Sequence, residues 1–292
     1  MGGKLMRIGD VAPKPLPLRP EQEIVEQWGD ESPVVSVMCP TYNHVDFIED
    51  ALCGILGQET TFPFEVIIRD DASTDGTADI VREFEAKYPR IIRAIYETEN
   101  QYLKERARTR IGPLVRGQFV AYCEGDDYWI RPEKLQRQLT SLHSQSSAVV
   151  SHHQALIVEN GRIVSLGKLP KGNQRDFTAD ELQKGAWLLT LSLFHRRADI
   201  APHPKSHRFV NGDKHLTSRL GGFGGACYEE DFVGAVYRRH DLSVWSSLDE
   251  VDRRITQATS FYYIATQYFE EGKPHLGSHW LEKAKKELDR VV

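Results

Sequence analysis

From residue 33 onward, short apolar runs alternate with segments whose apolar positions recur every three or four residues. Pro33-Val34-Val35-Ser36-Val37-Met38-Cys39 is a β-branched run closed by Pro40, the pattern of a buried strand. The next window, 44–57, sets Phe47, Ile48, Leu52, Ile55 and Leu56 on one helical face and stops at Gly57. The alternation repeats as a strand over 64–69, a helix over 75–88 ended by Pro89, and a strand over 91–96. A charged segment, 102–116, is helical as far as Gly112-Pro113, and 118–123 is a fourth strand. This spacing predicts right-handed βαβ units and an α/β fold with a mostly parallel sheet.

The second half is less regular. Residues 149–164 read as a hairpin turning at Asn160-Gly161, and 177–185 as a helix with Thr178 as its cap. A short helix over 213–220 ends at Gly221-Gly222, and 231–237 is strand-like. Two helices, 251–271 and 275–292, break at Gly272-Lys273-Pro274. There is no internal repeat, and a lone helical pair does not make a repeat array. The pair is expected to form a helical hairpin packed on the domain or on a second copy, giving a homo-oligomer through these helices. The chain therefore divides into a leader (1–32), a main domain (33–247) and a helical appendage (248–292). The Pro- and Lys-rich leader lacks the apolar core of a secretory signal, and Met6 stands where a myristoylation signal wants Ser or Thr. It is expected to be flexible.

Composition narrows the classes. Thirty-seven Lys+Arg against 42 Asp+Glu give a net charge of −5, which offers no chain-wide attraction to nucleic acid. Cys39, Cys53, Cys123 and Cys227 contain no C-x-x-C pair, so neither a zinc ribbon nor a disulfide framework is expected. No apolar run approaches the ~20 residues that span a bilayer. These features suit a cytoplasmic protein, peripheral at most to the inner face of a membrane.

Candidate chemistry collects at the carboxyl ends of the predicted strands, where ligands bind in parallel sheets. Three clusters fall there: Pro40-Thr41-Tyr42-Asn43, Asp70-Asp71-Ala72-Ser73 and Glu124-Gly125-Asp126-Asp127. Two adjacent carboxylates behind a buried strand invite a donor from a ligand, such as a ring nitrogen, to offset their desolvation. Three carboxylates within four residues repel one another unless a cation is present, and Mg²⁺ or Mn²⁺ prefers such oxygens together with substrate phosphates. Lys104, Arg106, Arg108 and Arg110 spread over more than one helical face, most of them as a solvated surface. His152, His153, His195, His203 and His207 show no ligand spacing. Read alone, Asp213 is a helix cap more readily than a base, and His240 a solvated strand end.

Cys39-Pro40-Thr41-Tyr42-Asn43, Asp70 to Thr77 and Glu124 to Trp129, in this order and at these separations, resemble family 2 glycosyltransferases of the GT-A fold. The resemblance continues through Asn211-Gly212-Asp213-Lys214, Val236-Tyr237-Arg238-Arg239-His240 and Val244-Trp245-Ser246. It implies a Rossmann-like αβα sandwich and a metal-dependent, inverting transfer of a sugar from a nucleotide-diphosphate donor, such as a UDP-sugar, to a hydroxyl of a glycan, lipid-linked or protein acceptor. Residue by residue, it implies Pro40, Thr41 and Asn43 near the nucleotide, Asp71 on its base, Glu124 and Asp126 towards the ribose or metal, and Asp127 and His240 on Mn²⁺ or Mg²⁺. Asp213 would be the general base. The segment from Trp187 to Arg197 would border the acceptor, although its residues also suit a core strand followed by a basic surface. Two departures stand out: Glu124 replaces the usual Asp, and Arg131 stands where an Asp often precedes the proline. A nucleotidyltransferase of the same fold would carry a Gly-rich basic signature at the first strand, which Pro40 to Asn43 lack; a non-catalytic sugar-nucleotide-binding scaffold is the other rival.

Overall fold

The continuous apolar runs of the first half form strands buried on both faces, as a covered parallel sheet requires. The computed structural model describes residues 6–29, 31–102, 104–200, 212–241 and 248–291. In it β1 (Val35–Thr41) lies between β2 (Phe64–Asp70) and β4 (Phe119–Tyr122), and β3 (Ile92–Tyr96) flanks β2; all these pairings are parallel. The sheet continues through β5 (Tyr128–Trp129), β6 (Ala148–Glu159), β7 (Arg162–Ser165), β8 (Phe194–Arg196) and β9 (Gly225–Arg239) in the order β3-β2-β1-β4-β8-β6-β9-β5, with β7 beside β6. Long β6 and β9 are parallel, whereas the short strands β5, β7 and β8 pair antiparallel.

Alternation along each strand splits the core in two. Val35, Val37 and Cys39 face a cluster shared with α1 (Glu21–Val25), α2 (Ile48–Leu56), α3 (Thr77–Lys87) and α5 (Lys134–Ser144). Met38, Ile67, Val120 and Tyr122 face the opposite cluster, built with α4 (Ala107–Ile111), α6 (Ala179–Gln183) and α7 (Gly212–Leu220). The result is the expected αβα sandwich. It is followed by the expected hairpin, α8 (Glu250–Glu270) and α9 (Pro274–Leu288), with Gly272 at φ 69° in the turn.

Local chemistry explains the boundaries. Thr178 and Glu181 form a reciprocal capping box at α6. Asn160 and Gly161, at φ 50° and 72°, make the tight β6–β7 turn. The second helix begins at Ile48, later than its pattern suggests, and the amides of His44 and Val45 ahead of it bond Thr77 Oγ1 and Asp75 Oδ2. Residues 9–16 are not free, as the flexible-leader expectation had it. Gly9 and Ala12 amides donate to Ile163 and Gly161, Ile163 donates back to Asp10, and Tyr128 Oη donates to Pro13 O at 2.7 Å. Proline-rich backbone is already extended, so laying it along the sheet edge at β7 loses little entropy. All four cysteines are buried and free. His152, His153 and His195 are buried within the sheet, and burial pushes His152 and His195 down to about 4. His203 and His207 lie outside the described residues. No described helix is long and apolar enough to cross a membrane.

Candidate active site

Backbone hydrogen bonds join the three polar loops at the carboxyl edge of the sheet. Thr41 O accepts Asp71 N, and Pro40 O accepts Gly125 N, each at 3.0 Å. Gly125 is required by contact: a Cβ there would lie 2.5 Å from Thr41 Oγ1 and 2.9 Å from His44 Nδ1. Asn43, at φ 52°, holds the second loop, accepting Thr74 N on Oδ1 and donating its own amide to Ser73 Oγ, both at 2.9 Å.

The acidic turn converges on two imidazoles. His240 Nε2 lies 3.1 Å and His44 Nε2 3.9 Å from Asp126 Oδ2, while Thr41 Oγ1 meets His44 Nδ1 at 3.2 Å. Burial opposes ionisation of Asp126, yet the His240 hydrogen bond and the charges of His44 and His240 hold its carboxyl below the usual range. Its neighbours move the other way. Burial, then the charges of Asp126 and Asp213, push Glu124 up to about 8. Burial, then Asp126 and Glu124, raise Asp127 well above a normal carboxylate, although Asp127 Oδ1 accepts Arg238 N at 2.9 Å. Arg238 fastens this turn: it donates to Asp126 O at 3.2 Å, pairs with Asp50 of α2, and lies between the rings of Phe47 and Tyr128. Lys168, after β7, supplies an opposing positive charge to Asp127 and Glu124.

Asp213 sits in the first turn of α7, near enough that its charge acts on both Glu124 and Arg106. Lys214 Nζ is 5.6 Å from the Trp187 ring, which brings the expected acceptor-bordering segment beside this helix. Leu188, Leu189, Leu191, Leu193 and Phe194 of that segment are core residues, and β8 is its strand. Asp71 Oδ1 takes Arg69 Nη2 at 3.1 Å and Gln101 N at 2.9 Å, so the protein itself supplies the donors for which the sequence suggested a ligand. Buried Asp70 accepts Ser73 N on Oδ2 and has no partner on Oδ1. Lys104 and Arg110 make surface pairs with Glu99 and Glu97, whereas Arg106 and Arg108 are partly buried. Asn211 and Val244-Trp245-Ser246 lie outside the described residues.

Among the described residues no group of three or more His, Cys, Asp or Glu side chains is arranged to hold a metal ion. Asp126 and His240 nevertheless form a two-ligand set, and His240 Nδ1 is buried without a hydrogen-bond partner. That donor set fits a divalent cation whose remaining oxygens come from a diphosphate. His44, Arg238 and Lys168 were not singled out individually by sequence reasoning. His44 follows Thr41 by three residues, and Arg238 shares the strand period of His240, so both had local signals. Lys168 had none.

Residues 36–197 match the family model of Glycosyl transferase family 2. The uncharacterized protein Rv1520 of Mycobacterium tuberculosis is 33% identical over 224 residues, 75% of this chain and 62% of that protein. This chain thus spans less than two thirds of that relative's length. The putative teichuronic acid biosynthesis glycosyltransferase TuaG of Bacillus subtilis is 36% identical over 129 residues, 44% of this chain and 50% of TuaG. Among solved structures, S. aureus TarS in complex with UDP-GlcNAc superposes with a TM-score of 0.59 at 19% identity, covering 85% of this chain and 72% of TarS. The mannosyltransferase PcManGT from Pyrobaculum calidifontis, in complex with GDP-Man and Mn²⁺, superposes with 0.59 at 18% identity, covering 98% and 78%. The sheet order and the matched span agree on one assignment: the chain belongs to glycosyl transferase family 2, with the GT-A-type fold.

Proposed function

We propose that this chain is an inverting, metal-dependent glycosyltransferase that moves a sugar from a UDP-sugar to a hydroxyl of a glycan, lipid-linked or protein acceptor. One observation carries the reading: Asp126, shared by His44 and His240, stands at the strand ends together with Glu124, and Asp213 lies in the first turn of a separate helix. Nucleotide-sugar complexes of the structural neighbours support the donor class, and the name of TuaG supports a polysaccharide acceptor.

In this reading Pro40, Thr41 and Asn43 shape the nucleotide wall, and Asp71, held on Oδ1 by Arg69 and Gln101, offers its other oxygen to a base N–H. Glu124, whose ionisation is opposed by burial and by the charge of Asp126, faces the donor. Asp126 and His240 would hold Mn²⁺ or Mg²⁺, with Asp127 anchoring the turn behind them on the Arg238 amide, and the ion would supply charge stabilisation to the departing diphosphate. Asp213 takes the proton of the attacking hydroxyl. A base opposite the leaving group makes the reaction a direct displacement, with inversion at the anomeric carbon.

The test is donor hydrolysis across a panel of nucleotide sugars with Mn²⁺. The wild type releases nucleoside diphosphate slowly from at least one donor, and Asp213→Asn lowers that rate by about 10²–10⁴ with donor binding kept. Asp126→Ala and Asp127→Ala each abolish Mn²⁺-dependent UDP binding. A wild type that binds UDP yet turns over no donor favours the scaffold instead.

A further inference from the structure

The C-terminal hairpin has two apolar faces, only one of which is covered. Phe261, Ile264, Ala265, Tyr268, Leu276, Trp280 and Ala284 form its own buried core. On the outside, Val251, Ile255 and Tyr262 of α8 and Leu281 and Leu288 of α9 are each 44–50% exposed. Tyr262, Leu281 and Leu288 line an open groove of about 730 Å³ between the two helices, together with Lys285 and Asp289, and Val251 and Ile255 continue the exposed stripe along α8.

The spacing is that of a helix-bundle seam. Val251, Ile255, Ala258 and Tyr262 follow steps of four, three and four, while Ser278, Leu281, Lys285 and Leu288 follow three, four and three. Two parallel stripes of this kind receive another helix pair as knobs into holes. Lys285 and Asp289 carry opposite charges at the groove, and neither makes an ion pair within 4.0 Å among the described residues. In an isologous contact each residue meets its counterpart reciprocally, so these two can neutralise each other across a two-fold axis. Area is sufficient. A helix of 21 residues is about 31 Å long and two helices side by side are about 20 Å wide, so the face offers at most about 600 Å² per copy, near the ~1,200 Å² total of the smallest stable interfaces.

We infer that this face is a homodimer interface, occupied by the same hairpin of a second copy of this chain, independently of the reaction it catalyses. A face at the lower limit of area makes the association weak, so that monomer and dimer exchange with concentration.

Sedimentation velocity of the full chain over a concentration series tests this. The wild type is expected to move from 33.3 kDa to twice that mass as concentration rises. Leu281→Glu with Leu288→Glu, both at exposed positions, is expected to stay monomeric with an unchanged melting temperature. Lys285→Asp and Asp289→Lys each weaken association at least tenfold, and the two together restore it. A wild type that is monomeric throughout overturns the inference. So does a dimer that survives the double Glu variant, an assembly larger than two, or a charge swap that fails to rescue.

Discussion

Arg238 shows how much of the candidate site rests on one side chain that touches no substrate in this reading. Its backbone amide bonds Asp127 Oδ1, its guanidinium reaches Asp126 O and Asp50, and its flat faces lie against Phe47 and Tyr128. Removing the fork leaves Asp50 and the turn without their cation. Arg238→Met is therefore expected to lose about 2–3 kcal/mol of stability and to weaken Mn²⁺-dependent UDP binding. Arg238→Lys keeps the charge but not the planar fork, so it restores melting temperature more than it restores binding. Equal recovery of both by lysine, measured by thermal shift and calorimetric titration, would mean that charge alone suffices. The acidic turn was legible in the sequence because three carboxylates behind an apolar strand stand out. Its support was less so, because Arg238 is distant in sequence and acts partly through its backbone amide. Asp71 shows the opposite lesson: its suggestive setting is met by Arg69 and Gln101 of the same chain.

At the scale of elements, the C-terminal hairpin holds the helix that carries Asp213. His215 meets Gln267 at 2.7 Å, Ser218 Oγ meets Tyr268 Oη at 2.8 Å, and Arg219 pairs with Glu271. These partners lie on successive turns of α7, so α8 fixes both its axis and its rotation. Tyr268→Phe removes the hydroxyl shared with Ser218 and is expected to cost about 1–2 kcal/mol. Because the damage is at α7, kcat should fall while donor KM stays near wild type. Parallel losses in both constants would show that the hairpin supports the whole domain and not the base helix in particular. Periodicity found most elements of this chain, including the hairpin and its Gly272 break, but not α1, β5 or the eleven-residue α5. It missed the strap over 9–13, which is held through its backbone by Gly161, Ile163 and the Tyr128 hydroxyl and so leaves no side-chain pattern of its own. It also shortened β9, where Asp231 at φ 55° and shifts of register interrupt the alternation that marks a strand.

The stability of the whole molecule carries the imprint of an ionisable group that neither the site nor the periodicity explains. Lys134, at the start of α5, is 0% exposed; its Nζ donates to Gln138 Oε1 at 2.7 Å and lies 4.0 Å from the centre of the Trp129 ring. Burial pushes the ammonium down to about 7 from an ordinary value of 10.5, with Cys123 and Glu229 opposing the shift. Between those two values the unfolded chain holds a proton that the folded chain has released. Linkage then makes this group's contribution rise with pH across the window from about 7 to 10.5 and level off on either side. Acidification below 7 forces a charge into the core with one amide oxygen and an aromatic face to receive it. Lys134→Met keeps the length of the side chain, removes the charge, and leaves the Trp129 contact apolar. The variant should melt higher than the wild type at pH 6, and the gap should narrow steadily towards pH 9 in denaturant or thermal unfolding. A gap that is constant with pH would mean that Lys134 stays protonated in the fold, with Glu229 and the ring of Trp129 stabilising its charge after all.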